Sequence, residues 1–251
     1  MIRAIIASIV IVITYIPLAT IAILASLFTG SGNTAHSLGR LWSKVALLVS
    51  GVRLETYGAE HIPKDRPAIF ASNHASQFDI LVLYLALPVQ FRFVVKKELF
   101  KIPLFGQAMR RAGYIPIDRS GGKAALMSLK KAAEAIRNGT SVVVFPEGTR
   151  SVDGRLKPLK PGAIVLAIKS GCPIVPVAIS GSHRVLPKGR LRIRPGKIKV
   201  RIGQALETTD KGRARNKEEV SRKLWQAICN MLDPDNRPES GECTITAIFD
   251  R

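Results

Sequence analysis

Cysteine is scarce in this sequence of 251 residues, which contains only Cys172, Cys229 and Cys243. The three are scattered along the chain, and their spacing matches neither a disulfide framework nor a metal site. We therefore predict no disulfide framework and no metal, and we expect Cys172 and Cys229 to be small buried hydrophobes.

Two patterns typical of nucleotide-dependent enzymes and of hydrolases are also absent. The sequence has no Gly-rich phosphate-binding loop and no Gly-x-Ser-x-Gly elbow. These absences disfavour a nucleotide-dependent enzyme and a conventional serine hydrolase.

Acidic residues are few, with 18 Asp and Glu against 38 Lys and Arg, so the formal net charge is +20. A protein of this charge binds polyanions, either nucleic acid or an anionic bilayer. Residues 4–28 contain no charged side chain and are rich in Ile, Ala, Val and Leu. About twenty such residues can cross a hydrocarbon core. We therefore expect an anionic membrane surface as a partner, and no nucleic acid.

A second helix is predicted directly after this apolar segment. Between Thr34 and Val52, apolar side chains recur at helical spacing, with Trp42 near basic residues, as is typical of a membrane interface. The stripe comprises Leu38, Leu41, Trp42, Val45, Leu48, Val49 and Val52. Residues 30–33 are the expected break. We predict that residues 1–52 form a membrane-anchoring helical hairpin, which either dips into one leaflet or has its first helix crossing the membrane.

The rest of the chain alternates between strand and helix patterns. Predicted strands are Ala68–Ser72, Arg92–Val95, Tyr114–Ile117, Ser141–Phe145 and Ile174–Ile179, and predicted helices are Ile80–Leu87, Gly122–Asn138, Pro161–Ser170 and Asn216–Leu232. This alternation predicts an α/β fold with a mixed, largely parallel sheet flanked by helices. We expect one domain over residues 53–232 and a C-terminal tail over 233–251, with a polar linker at Thr208–Arg215.

Residues 190–201 show a different pattern. Basic and apolar residues alternate on both sides of Pro195-Gly196, which predicts a β-hairpin with one basic face. Our hypothesis is that this face meets anionic headgroups.

A histidine and a carboxylate lie at one predicted strand-to-helix junction. His74 falls in the loop after strand Ala68–Ser72, and Asp79 falls at the start of helix Ile80–Leu87. The chain can therefore fold the carboxylate back onto the imidazole. An Asp that accepts from Nδ1–H fixes the tautomer and leaves Nε2 free to take a proton from an alcohol.

A second polar group follows the predicted strand Ser141–Phe145. Pro146 ends the strand, and Gly148 permits a sharp turn and close approach to a ligand. Glu147 and Arg150 then lie at the carboxyl end of a strand, where open α/β sheets bind ligands. Arg150 could bind a phosphate, and Glu147 could hold a hydroxyl or steer a neighbouring cation.

Four segments in order resemble the motifs of the glycerolipid acyltransferase family, and most closely those of the bacterial 1-acylglycerol-3-phosphate acyltransferases. They are Asn73–Asp79, which contains the His-x4-Asp (HX4D) motif, Gly113–Arg119, Phe145–Ser151 and Val175–Ile179. Lys96–Gly106 also resembles the segment that these enzymes carry between the first two motifs.

The resemblance implies a role for each matching residue. His74 would be the general base and Asp79 its orienter. The residues that would bind the glycerol phosphate are Lys97, Arg119, Glu147, Gly148, Thr149 and Arg150. Val175–Ile179 would contact the acyl donor or line its site.

The resemblance also implies the reaction. An acyl group would pass from acyl-CoA or acyl carrier protein directly to the 2-hydroxyl of 1-acyl-sn-glycerol 3-phosphate (lysophosphatidic acid), which makes phosphatidic acid for phospholipid biosynthesis. No cofactor is expected. The enzyme would lie at the inner (cytoplasmic) membrane with its catalytic domain facing the cytoplasm.

Three alternatives remain open from the sequence. The acceptor could be another lyso-lipid, such as a lyso-ornithine lipid or a lysophospholipid. A serine hydrolase could use Ser72 or Ser76 as a nucleophile beside His74. The chain could also be a non-enzymatic membrane- or nucleic-acid-binding protein in which these motifs are structural.

Overall fold

A computed structural model describes residues 2–29, 32–210, 213–241 and 243. Its α-helices are α1 (Ile2–Thr29), α2 (Asn33–Ser50), α3 (Phe78–Ala86), α4 (Phe105–Arg111), α5 (Gly122–Arg137), α6 (Pro161–Ser170), α7 (Ser182–Val185) and α8 (Lys217–Met231). Its strands are β1 (Val52–Tyr57), β2 (Ile69–Ser72), β3 (Arg92–Lys96), β4 (Ile115–Ile117), β5 (Val142–Val144), β6 (Ile174–Ser180), β7 (Gly196–Ile202), β8 (Thr209–Asp210) and β9 (Arg213–Ala214). Short 3₁₀ helices occupy Ala59–His61, Lys97–Lys101 and Pro234–Asn236.

Seven strands form one sheet in the order β1-β7-β6-β2-β5-β3-β4. Every neighbouring pair is parallel except β6 and β7. The central strands β2, β5 and β6 are buried along their whole length, because their Ile, Val, Ala and Phe side chains meet helices on both faces. The predicted mixed, largely parallel α/β sheet is confirmed.

Adjacent residues of β2 point to opposite faces of the sheet and enter two separate cores. Phe70 packs in the core that includes Val82 and Leu83 of α3. Ile69 packs in the core that includes Ile164 of α6 and Leu224 of α8. The sheet therefore separates an α2–α3 layer from an α5–α6–α8 layer.

Helix α1 contains the one segment among the described residues that is long and apolar enough to cross a membrane. This segment, Ile6–Ser26, has 21 residues and a mean hydropathy of 2.4. One face of α1 packs on α2 and α4. The opposite face exposes large apolar side chains along the helix, namely Ile6, Ile9, Val12, Ile13, Ile16, Ile21 and Leu24. The predicted helical hairpin is present, although residues 30 and 31 of its break lie outside the described residues.

The buried face of α2 is not the predicted apolar stripe. Leu41 and Leu48 are 50% and 76% exposed. The buried residues of the helix are Ala35, His36, Ser43, Ala46, Leu47 and Ser50. Gly39 lies so close to the Tyr84 ring that an added Cβ would come within 2.9 Å of it. Small residues let α2 approach α3 closely, while Trp42 donates to the backbone oxygen of Ile11 in α1 at 3.1 Å.

The predicted hairpin at residues 190–201 is wrong. Only β7 forms there, and it lies inside the sheet between β1 and β6. Its apolar residues are buried in the core, whereas Lys197 pairs with Glu55 at 2.8 Å and Lys199 with Asp233 at 3.0 Å. The alternation thus arises because one face of β7 packs on the core and the other carries ion pairs.

Two predictions about the C-terminal part also need correction. The Thr208–Arg215 linker contains the antiparallel strands β8 and β9, with residues 211 and 212 outside the described residues. Cys229 and Cys243 form a disulfide, so the prediction of unconnected thiols is wrong for this pair. Their separation of 14 residues gave no signal, because the chain turns back onto α8 only through the 3₁₀ helix after it. Residue 242 and residues 244–251 of the predicted tail lie outside the described residues.

Candidate active site

The loop from β2 to α3 brings His74 and Asp79 together. Nδ1 of His74 lies 2.8 Å from Oδ2 of Asp79, which also accepts the backbone N–H groups of Ala75 and Ser76 at 2.7 and 2.8 Å. The Asp79 side chain is fully buried, whereas that of His74 is 15% exposed. A carboxylate only accepts, so Nδ1 carries the proton and the Nε2 lone pair stays available as a base.

Phe145 and Asn73 fix the imidazole and its loop. The His74 ring stacks on the Phe145 ring with centroids 3.9 Å apart. The Asn73 side chain donates to the Ile179 oxygen at 2.9 Å and accepts from the Ile179 N–H at 2.8 Å. These two hydrogen bonds hold the loop against β6, within the Val175–Ile179 segment that the sequence analysis identified.

The nearby serines are not placed as nucleophiles. Ser76 donates its hydroxyl to the Leu186 oxygen at 2.8 Å, and Ser72 donates to the Asn73 oxygen at 3.1 Å. Both side chains are fully buried. This geometry argues against the serine hydrolase alternative.

Glu147 lies beneath the loop, with its carboxylate turned inward. Oε1 accepts the N–H of His74 at 2.6 Å, and Oε2 accepts the N–H of Lys157 at 3.1 Å. The side chain is 3% exposed, and burial, assisted by the nearby Asp79 charge, raises the pKa of Glu147 to about 8 despite these two bonds. The sequence indicated contact with substrate, but the structure places this carboxylate between two backbone segments.

The loops after β3, β4 and β5 hold the predicted phosphate-binding cations. Lys97 pairs with Asp118 at 2.6 Å, and this bond raises the pKa of Lys97 and lowers the pKa of Asp118. Arg119 is exposed and donates to the Gly148 oxygen at 2.5 Å. The Gly113–Arg119 and Phe145–Ser151 motifs therefore meet through Arg119 and Gly148.

Gly148 is required at its position. Its φ of +77° is unfavourable for other residues, and an added Cβ would meet the Lys160 side chain at 3.0 Å. The turn brings Thr149 and Arg150 to the same edge of the sheet.

Sequence reasoning missed three further lysines at this edge. Nζ of Lys188 lies 3.1 Å from the Arg150 oxygen and 3.4 Å from Oγ1 of Thr149. Lys157 also donates to the Arg150 oxygen, at 3.4 Å, and the Lys160 side chain lies over Gly148. Lys188 lies 38 residues after Arg150 in the sequence, so only the folded chain brings its charge here. The sheet edge beside His74 thus carries several cations, namely Lys97, Arg119, Arg150, Lys157, Lys160 and Lys188. We call it the cationic edge, and its charge suits an anionic substrate.

Comparison with known proteins identifies relatives of this site. A family model described as Acyltransferase matches residues 53–180. The chain is 40% identical over 173 residues to a 1-acyl-sn-glycerol-3-phosphate acyltransferase of Limnanthes alba, covering 68% of this chain and 61% of that protein. It is 34% identical over 176 residues to the enzyme of the same name from Pseudomonas aeruginosa, covering 68% of this chain and 67% of that one.

A solved structure shares the fold. The crystal structure of PlsC, the 1-acyl-sn-glycerophosphate (LPA) acyltransferase of Thermotoga maritima, matches with a TM-score of 0.73 and 27% identity, covering 90% of this chain and 93% of that one. The chain spans less than two thirds of the curated plant relatives it matches, for example 44% of a Brassica napus protein and 61% of the Limnanthes alba one. The matched family model covers the strands and loops that carry the His74–Asp79 pair, Lys97, Arg119 and Arg150, and the chain therefore belongs to the acyltransferase family.

Proposed function

We propose that this protein transfers an acyl group from a thioester to the 2-hydroxyl of 1-acyl-sn-glycerol 3-phosphate, which yields phosphatidic acid. The observation that carries the proposal is the 2.8 Å bond between Nδ1 of His74 and buried Asp79, which leaves Nε2 as a base. The names of the Limnanthes, Pseudomonas and Thermotoga relatives support the same acceptor.

The mechanism is direct transfer. Nε2 of His74 accepts the proton of the 2-hydroxyl while its oxygen attacks the thioester carbonyl carbon. The tetrahedral adduct then collapses, the C–S bond breaks, and the imidazolium returns its proton to the departing thiolate. Asp79 stabilises the imidazolium throughout. The buried, hydrogen-bonded state of Ser72 and Ser76 supports a path without an acyl-enzyme.

The acceptor's phosphate binds at the cationic edge. Arg119 and Arg150 supply guanidinium groups for the phosphate, and Lys97 supplies an ammonium group. The loop at Gly148 and Thr149 forms the base of the phosphate-binding site. For Glu147 we propose a positioning role instead of direct contact with substrate, because both of its oxygens already accept backbone N–H groups.

The donor is acyl-CoA or acyl carrier protein, and no cofactor takes part. Both donors are acidic, which suits a protein of net charge +20. We place the protein at the inner (cytoplasmic) membrane with its catalytic domain facing the cytoplasm. The support is α1, whose apolar face lies open along the helix while its other face packs on the protein.

The same proposal divides the chain by role. Residues 1–52 anchor it, residues 53–232 carry catalysis, and residues 233–251 form a tail. The start of the matched family model at residue 53 supports the first boundary.

The test is acyl transfer by detergent-purified protein given lysophosphatidic acid with acyl-CoA or acyl carrier protein. We expect phosphatidic acid from the parent and from His61→Ala, and none from His74→Ala. His61 is a matched control because its imidazole bonds the Ile202 backbone at 2.8 Å and belongs to none of the motifs. Full activity of His74→Ala would overturn the mechanism. Transfer only to a lyso-ornithine lipid or a lysophospholipid would replace the acceptor and keep the chemistry.

A further inference from the structure

The segment between the site and α4 exposes an unusual run of side chains. Residues 101–105, with the sequence Lys-Ile-Pro-Leu-Phe, are all exposed. Ile102, Leu104 and Phe105 are 46%, 36% and 38% exposed, and Leu99 on the preceding turn is 37% exposed. Large apolar side chains grouped in this way mark a surface that contacts a partner or a membrane. We call residues 99–105 the apolar loop.

The apolar loop is built to hold these side chains outward. Phe100 is buried, and Gly106 packs so tightly on the Phe100 backbone that an added Cβ would lie 2.2 Å from its oxygen. Hydrogen bonds from Gly106 to the Ile102 oxygen (2.7 Å) and from Ala108 to the Leu104 oxygen (2.8 Å) close the turn.

The backbone conformation of Leu104 also indicates that the apolar loop is constrained. It is the one non-glycine residue with positive φ (+57°) in the part of the chain that the structure describes. Leucine adopts this conformation only when its surroundings impose it. This residue keeps 36% of its surface exposed in the apolar loop.

The apolar loop is continuous with α1. Helix α4, which begins at Phe105, packs on α1, and the Phe105 ring lies 6.2 Å from the Tyr15 ring of α1. Val12, one helical turn before Tyr15, is 60% exposed, so the loop adjoins the edge of the exposed apolar face of α1. Lys101, Arg110 and Arg111 are exposed beside it, which is the mixture of apolar and cationic groups that suits the interface of an anionic bilayer.

We propose that the apolar loop inserts into the same bilayer leaflet as α1 and is a second membrane contact. This inference rests on the membrane association proposed above. Lys97 of the cationic edge is the first residue of the 3₁₀ helix Lys97–Lys101, and the end of this helix is the start of the apolar loop. A lyso-lipid can thus present its phosphate to Lys97 and Arg119 while its acyl chain stays in the leaflet beside Ile102.

Tryptophan fluorescence with bromolipid-containing vesicles tests the insertion. Ile102→Trp is the probe, and Ile13→Trp on the exposed face of α1 is the positive control. Met127→Trp is the negative control, because Met127 is 52% exposed on α5, on the other side of the sheet. Emission is read relative to the parent, which contains Trp42 and Trp225. We expect the added emission to be quenched at positions 13 and 102 and to persist at 127.

Two outcomes would contradict this expectation. Quenching at 13 without quenching at 102 would overturn the second contact and leave the anchor intact. Absence of quenching at both positions would overturn the anchor and this inference together.

An activity measurement separates insertion from folding and from the proposed reaction. The variant Ile102→Glu/Phe105→Glu is compared with Leu126→Glu/Met127→Glu, which changes two apolar residues of α5 that are 54% and 52% exposed. We expect a raised KM for lysophosphatidic acid embedded in vesicles and an unchanged kcat/KM for a short-chain analogue dissolved as monomers. Equal loss on both acceptors would show a structural role and reject the proposal.

Discussion

At the residue scale, one oxygen of Asp79 makes all of the hydrogen bonds of its side chain, including the bond to the proposed base His74. Oδ2 accepts from His74, Ala75 and Ser76, whereas Oδ1 is buried without a hydrogen-bond partner. An asparagine can keep all three bonds on its carbonyl oxygen and place its amide where Oδ1 lies. The substitution therefore removes the charge and preserves the arrangement.

For Asp79→Asn we expect kcat to fall by about 10²–10⁴-fold, the range of a general-base contribution, because the imidazolium loses its counter-charge. KM for lysophosphatidic acid should change little, since the cationic edge is untouched. Steady-state kinetics with a thermal unfolding control measures this. An unchanged kcat would show that the charge of Asp79 does not assist the base.

Glu147→Gln tests the positioning role. The amide nitrogen cannot accept a backbone N–H, so either the His74 or the Lys157 bond is lost and two donors face each other. We expect a loss of about 1–3 kcal/mol in the free energy of unfolding, together with a lower kcat. Urea unfolding and kinetics measure both, with exposed Glu60→Gln as the control. A raised KM with normal stability and kcat would instead support direct binding of substrate.

The pKa of Glu147 gives a pH dependence with a definite sign. Burial raises it from an ordinary 4.5 to about 8, so between these values the folded protein holds a proton that the unfolded chain releases. This contribution to stability is complete below pH 4.5 and is lost as the pH rises through 8. Unfolding measured across this range should show a decline for the parent that is flatter in Glu147→Gln. Parallel curves would contradict the assignment.

The sequence predicted the positions of these residues along the chain better than the orientation of their side chains. Spacing alone placed Asp79 in the first turn of a helix after His74, because a strand, loop and helix of those lengths allow little else. The inward turn of Glu147 was not predictable, since its partners are backbone groups of the distant His74 loop and of Lys157.

At the element scale, the disulfide connects α8 to the C-terminal segment. It closes a loop of about 15 residues, for which chain-entropy arguments give about 3 kcal/mol. We expect Cys243→Ser to lower the free energy of unfolding by about that amount and to abolish its sensitivity to reductant. Unfolding with and without reductant measures this, and Cys172→Ala, which removes the free buried thiol, should stay sensitive. If reductant leaves the free energy of unfolding of the parent unchanged, the result argues against the disulfide.

The helices and buried strands were predicted nearly to the residue where the pattern was apolar and bounded by Pro or Gly. Helix α6, between Pro161 and Gly171, is an example. The failure at residues 190–201 has a simple cause, because alternation cannot tell an edge hairpin from an interior strand with ion-paired side chains. Strand β1 was not predicted at all, since Arg53 and Glu55 interrupt its apolar pattern and its partner β7 lies far along the chain.

At the scale of the whole molecule, the charge has a distribution that the sequence did not reveal. Lys197 and Lys199 are engaged by Glu55 and Asp233, whereas Arg192 and Arg194 are exposed and form no ion pair among the described residues. They line a cavity of about 190 Å³ with Ala4 and Ala7 of α1. This places the two arginines beside the start of α1, the proposed anchor.

Charge reversal at Arg192 and Arg194 should therefore weaken binding to anionic vesicles at low salt, by about 1 kcal/mol for each cation lost from the surface. Flotation at two salt concentrations measures the effect, which screening should remove. Reversal at Lys197 and Lys199 is the comparison and should act mainly on stability through the broken pairs. If charge reversal at Arg192 and Arg194 leaves vesicle binding unchanged, the two arginines do not contact headgroups.

Gly51 is the only residue between α2 and β1, and it has a left-handed conformation at φ +66°. Since β1 is hydrogen-bonded along its length to β7, no flexible linker separates α1 and α2 from the sheet. With α1 as the membrane anchor that we propose, His74 is held at a fixed distance from the bilayer. The proposed base then meets a lipid acceptor through a search in two dimensions, set by the lateral diffusion and surface density of the lipid and not by motion of a linker.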